Sequence, residues 1–138
     1  MTQILQNQIL ITGILAWAIA QILKFIINAL SYKKLSFSIL LGSGGMPSSH
    51  TSIVVAMATK VGIVEGFDST FFSIAAIFCL VVMYDAVGVR QQAGKHAQII
   101  NYLTKNWQNV PKLKELIGHR PIEVFFGVIL GVTVAFLR

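Results

Sequence analysis

Two short stretches concentrate the residues that could do chemistry: Gly42-Ser43-Gly44-Gly45-Met46-Pro47-Ser48-Ser49-His50-Thr51-Ser52 and Gly118-His119-Arg120-Pro121-Ile122-Glu123. In the first, glycines let backbone N–H groups approach an anion, and the following helix N-terminus adds unpaired donors and positive partial charge. Gly45, Ser48 and Ser49 are the candidate contacts to a phosphate. His50 beside them can move a proton, which a passive turn does not need. In the second stretch, a helix starting near Arg120 puts His119 and Glu123 four residues apart and able to share a face. The carboxylate can then accept a proton from one ring nitrogen and leave the other as a nucleophile.

An imidazole attacking phosphorus needs cations on the equatorial oxygens and an acid for the leaving oxygen. Arg90 offers a planar fork, Lys24 a point charge and His50 the acid. Ordinary structural readings stand beside these. His119 could be a loop histidine, and Glu123 in a first helical turn complements the macrodipole whatever its function. Ser48 and Ser49 are good N-caps and Gly44-Gly45 a common turn. Lys24 could snorkel to the membrane surface, and Asp85 either supports the site or neutralises Arg90 or Lys24.

The elements that must position these residues are membrane helices. The 138 residues make one domain, 1–138, and are 55% hydrophobic but only 12% charged, against about 25% charged in soluble domains. The net charge of +6 comes from scattered Lys and Arg. With no clustered basic stripe interleaved with aromatics, nucleic acid is excluded as a partner, and anionic lipid head groups are favoured. Cys79 lies in an apolar run, so it reads as a buried, inert thiol rather than part of a disulfide framework. The N-terminus carries no positive charge before its apolar run and reads as a retained anchor, not a cleaved signal.

Ile9 to Leu30 is long enough to cross a bilayer, with Gln21, Lys24 and Asn28 on one face turned into protein. A short apolar piece spans Phe37 to Leu41. Ser49 to Val64 and Thr70 to Val89 are the next two helices, the former closed by Gly66. Gln91 to Gly118 is polar and basic, with Ile99, Ile100, Leu103 and Trp107 at a helical period, and reads as amphipathic surface helix broken at Pro111. Pro121 to Leu137 is the last membrane helix, with Pro in its first turn and Gly127 and Gly131 as a small-residue packing face. The expected fold is all-α: an integral membrane bundle of about four helices plus the amphipathic segment.

Basic residues are retained on the cytoplasmic side. Lys33 and Lys34 flank the first loop, and Arg90, Lys95, Lys105, Lys112, Lys114 and Arg120 fill the third, whereas Glu65 and Asp68 mark the second. The expected location is the cytoplasmic membrane, with His50, Arg90 and His119 on its cytoplasmic face.

Pro47-Ser48-Ser49-His50 resembles the P-S-G-H motif of the type 2 phosphatidic acid phosphatases and vanadium haloperoxidases. His119-Arg120-Pro121-Ile122-Glu123-Val124, followed by Gly127 and Gly131, resembles that superfamily's H-x3-D motif and glycine-bearing helix. The chain as a whole is similar to the small divergent PAP2 family over nearly its full length. The resemblance implies a PAP2-like core, with His119 as the nucleophile forming a phosphohistidine, Glu123 as its orienter and His50 as general acid. Arg90, Lys24, Ser49 and nearby backbone N–H groups would cradle the phosphate, and no metal or cofactor is implied.

The chain departs from the pattern in having Ser49 for Gly, Glu123 for Asp, and Arg90 far ahead of His119. An R-x5-H match from Arg90 to His96 makes His96 the alternative nucleophile, but Ile100 stands where its carboxylate should be. In the K-x6-R-P motif only Lys24 carries over. The function implied is hydrolysis of an anionic lipid phosphomonoester or pyrophosphate at the cytoplasmic leaflet. The alternative is a non-catalytic membrane protein that keeps the anion pocket. A homodimer packed through Gly127 and Gly131 is a further expectation.

Overall fold

The computed structural model describes residues 6–32, 45–115 and 117–138. They form five helices with no strand among them: α1 (Gln8–Tyr32), α2 (Ser49–Glu65), α3 (Thr70–Val87), α4 (Val89–Leu103) and α5 (Pro121–Leu137). The apolar piece Phe37 to Leu41, Lys33, Lys34 and Gly42-Ser43-Gly44 lie outside the described residues.

Each boundary has a local chemical cause. Ser48 caps α2 by accepting the Thr51 N–H at 3.3 Å, and Gly66, at φ 95°, closes it with an N–H bond to the Gly62 carbonyl. Ser69 caps α3 in the same way through the Phe72 N–H at 3.1 Å. Gly88 then breaks the path between α3 and α4, its N–H bonded to the Tyr84 carbonyl at 2.8 Å. Pro121 opens α5 where its missing N–H costs nothing.

The helices pack around α2, which touches α1, α3 and α5. On α1 the buried positions Thr12, Ala16, Ala20 and Lys24 recur every fourth residue, so they form one stripe. Gly13 faces Met57, and Lys24 meets Ser49, so α1 and α2 run antiparallel. α5 runs parallel to α2 at very close range. A Cβ on Gly127 would sit 2.8 Å from the Ser48 carbonyl oxygen, and one on Gly131 2.8 Å from that of Ser52. Lipid supplies little hydrophobic drive between helices, so close backbone approach through small residues is what holds them.

Outside this small-residue core the surface is apolar. Ile14, Trp17 and Ile22 on α1, Ile74, Ile77 and Phe78 on α3, and Phe125 and Ile129 on α5 are all exposed. Gln8–Leu30 and a stretch beginning at Thr70 are each long and apolar enough to cross a membrane, while Pro121–Leu137 is a shorter apolar helix. The molecule is a helical membrane protein.

Two expectations are corrected. The amphipathic segment is helical only to Leu103, not through to Pro111. Thr104 turns its hydroxyl back onto the Ile100 carbonyl at 2.8 Å, and Asn101 clamps the returning chain through both the N–H and the carbonyl of Leu113, each at 2.9 Å. Positive φ at Asn109 completes the reversal. The glycine face of α5 is filled by α2 of the same chain, so Gly127 and Gly131 are not available to a second copy.

Candidate active site

The site forms at the end of the bundle where α1 and α3 finish and α2 and α5 begin. Ser48 is spent largely on architecture: its hydroxyl accepts from both the N–H and the Oγ1 of Thr51, and its backbone N–H bonds the Glu123 carbonyl at 3.0 Å. That last bond locks the start of α2 to the first turn of α5. Lys24 is buried, 2% exposed, and its Nζ lies 3.4 Å from Ser49 Oγ. Gly45, at φ 99°, lies on the Lys24 stem, where a Cβ would come within 3.3 Å of Cγ.

His119 is brought here by a bend that only glycine fits. Gly118 has φ 90°, and a Cβ there would fall 2.5 Å from the Gln91 nitrogen. Immediately after it, the His119 N–H bonds the Ala86 carbonyl at 3.0 Å and Gln91 Nε2 donates to the His119 carbonyl at 3.4 Å. The backbone around the imidazole is therefore held by the end of α3 and the start of α4. Gly94 lets the chain pass beside α4, since a Cβ there would meet the Glu115 and Ile117 carbonyl oxygens at 2.6 and 2.8 Å.

The His119 and His50 rings stand edge to face with centroids 6.0 Å apart and planes at 73°. His119 is 2% exposed, and neither of its ring nitrogens has a hydrogen-bond partner among the described residues; nor has His50 Nδ1. Buried polar nitrogens normally find partners, so three orphans in one place are able to bond a polar group. Burial, aided by the positive charges of Lys24, His50 and Arg90, pushes the His119 imidazole down to about 4. At neutral pH it holds a free lone pair.

The carboxylates are engaged locally. Arg90 Nε donates to Asp85 Oδ2 across the Gly88 break, which realises the pairing of Asp85 with Arg90 rather than with Lys24. Glu123 Oε2 accepts the Arg120 N–H at 3.2 Å, a helix-capping contact. His50, His119, Lys24, Ser49, Gly45, Glu123 and Arg90 are thus gathered at one end. His96 is set apart: it is exposed and lines a different groove, with Tyr84, Gly88 and Gln92.

A cleft of about 320 Å³ leads to His119, lined also by Gly45, Gln91, Lys95, Arg120 and Glu123. Sequence reasoning missed Gln91, Lys95 and Arg120. Arg120 had the plainest signal, being adjacent to His119, while Gln91 and Lys95 follow Arg90 on α4 but revealed no register toward His119. Among the described residues no group of His, Cys, Asp and Glu is disposed to hold a metal ion.

The buried His119 thus faces the half-buried His50 at the cationic end of a membrane helix bundle. The chain belongs to the divergent PAP2 family, whose profile matches residues 5–134. It is 38% identical over 146 aligned positions to YuiD, an uncharacterized membrane protein of Bacillus subtilis (strain 168), covering 94% of this chain and 92% of that one. No solved structure matches.

Proposed function

We propose that this protein hydrolyses a lipid phosphomonoester or pyrophosphate through a phosphohistidine on His119. The observation that carries the reading is the juxtaposition, at 6.0 Å, of the buried His119 ring, both of whose nitrogens lack a partner, and the half-buried His50, whose Nδ1 lacks one. A phosphoryl group between them gives each a partner. Lys24, Ser49 and Arg90 then contact the equatorial oxygens, with Arg90 offering the amino groups that Asp85 leaves unused.

In the first step a neutral His119 ring nitrogen attacks phosphorus. The phosphorus–oxygen bond to the leaving group breaks, and the departing oxygen takes a proton from His50. In the second, His50 accepts a proton from water, the water oxygen attacks phosphorus, and the phosphorus–nitrogen bond breaks to release phosphate and restore both histidines. The Glu123 oxygen not bonded to Arg120 is the acceptor that orients His119 when substrate settles its ring.

Loop charge supports a cytoplasmic setting. The site end carries Lys95, Lys105, Lys112, Lys114 and Arg120, while the opposite turn carries Glu65 and Asp68. The lipid tail lies along the exposed apolar helices with its head group at His119.

Incubating purified protein with labelled lipid phosphate and quenching in base should trap an acid-labile phosphoprotein. Wild type and His96→Ala should label and His119→Ala should not. Labelling that survives His119→Ala and vanishes with His96→Ala would overturn the assignment. Binding of phosphate without hydrolysis of any lipid phosphate in a broad panel would instead establish a non-catalytic pocket.

A further inference from the structure

We propose that the cleft at the end of α4 binds the head group of an anionic phospholipid from the surrounding leaflet, as a second site that does not take part in hydrolysis. The cleft measures about 460 Å³ and is lined by Lys105, Lys112, Tyr102, Trp107, Val110 and Glu115, among others. Its walls are built rather than accidental. Asn101 fixes the returning chain through Leu113 and donates to Glu115 Oε1 at 2.8 Å, so the carboxylate lining the cleft is already engaged.

Charge selects the ligand. No acidic residue stands between Asp85 and Glu115, whereas that interval holds Arg90, Lys95, Lys105, Lys112 and Lys114. The two lysines in the cleft outnumber its one carboxylate, so the cleft presents net positive charge to an anion. The apolar lining commits that anion to a lipid. Trp107 is 67% and Tyr102 79% exposed, and Leu103 and Val110 beside them are exposed as well. Aromatic rings of this kind lie at the head-group level, where one edge meets hydrocarbon and the other water. Ile99 and Ile100 continue the exposed apolar surface from α3 toward this cleft.

The lysine-bearing segment returns past Gly94 and ends in Gly118-His119, where the His119 N–H is held separately by the Ala86 carbonyl, so the lipid site and the imidazole are anchored independently. The binding itself is read without any turnover, so its test is separate from that of the hydrolytic reading.

The test uses the full chain with Trp17→Phe, leaving Trp107 as the sole tryptophan, in nanodiscs of phosphatidylcholine containing a minor fraction of phosphatidylglycerol. Bromine is placed on the chains of one lipid or the other. Trp107 should be quenched more by brominated phosphatidylglycerol than its mole fraction allows. Adding Lys105→Gln and Lys112→Gln should reduce that enrichment by about fivefold per lysine. Raising salt to 1 M, where the screening length is about 3 Å, should remove it in the unmutated cleft and so checks the result without substitutions. Quenching that follows bulk lipid composition at low salt, or an enrichment indifferent to both lysines and salt, would overturn the proposal.

Discussion

Helices α2 and α3 are neighbours of nearly equal length, 17 and 18 residues, and both sit among membrane-spanning elements, yet they solve opposite problems. Along α2 the buried positions include Ser49, Thr51, Ser52, Val55, Ala56, Ala58, Lys60 and Gly62, whereas on α3 they are Cys79 and Ala86. α3 spends its large apolar side chains on the lipid side and rests on α2 through small contacts. α2 carries hydroxyls and an imidazole that hydrocarbon would penalise, and α1, α3 and α5 shield it. A helix that carries polar groups inside a bilayer thus resembles the core of a soluble protein, and the helices around it serve as its solvent.

That contrast can be broken most forcefully at Gly131. Leucine there would drive its side chain into the Ser52 carbonyl and Val55, and should cost at least about 3 kcal/mol or prevent folding, as read by thermal unfolding in detergent. Next in size, His50→Ala should slow lipid phosphate hydrolysis by roughly 10²–10⁴-fold. The loss should be much smaller with activated aryl phosphates, whose leaving group needs no proton; an equal loss on both would remove His50 as the acid.

The acid side of the stability profile sharpens the comparison further. With the folded imidazole of His119 at about 4, below the ordinary value of 6.5, the unfolded chain binds the extra proton between those values. Stability is therefore full above pH 6.5 and falls as pH drops toward 4, by about 3 kcal/mol in all. His119→Gln should flatten that slope in unfolding measurements across this window. Lys24→Met keeps the packing but removes the charge, and should weaken vanadate binding by about tenfold or more, measured by titration, the size of a charged hydrogen bond. Smallest of all, Ile77→Ala on the lipid face of α3 should leave stability within about 0.5 kcal/mol. A large loss there would mean that α3 is covered by something other than lipid.

Much of this bundle could be read from residues alone because its signals are local. Pro121 opens a helix, Gly66 ends one, and Lys24 falls on the stripe of α1 that faces inward, whereas the break at Gly88 falls within the run that reads as helix to Val89. The position of His119 was less accessible. Two backbone constraints set it, the positive φ of Gly118 and the passage beside Gly94, and neither has a periodic signature. The end of α4 was misplaced for a related reason. Ile99, Ile100, Leu103 and Trp107 keep a helical period, but the side chain of Asn101 captures the chain beyond them, a long-range contact that periodicity does not encode. The capping of Arg120 by Glu123 shows the opposite case, since a first-turn carboxylate is a legible sign whose target still had to be seen.

The hydrogen bond from the His119 amide to the Ala86 carbonyl has a further bearing. It spares the residues between α4 and Gly118 from having to define where the imidazole stands. Insertions, deletions or wholesale exchange of sequence around Asn106 to Val110 can accumulate without displacing the ring, provided Gly94 and Gly118 remain. The surface at the end of α4 and the paired histidines can therefore diverge at different rates.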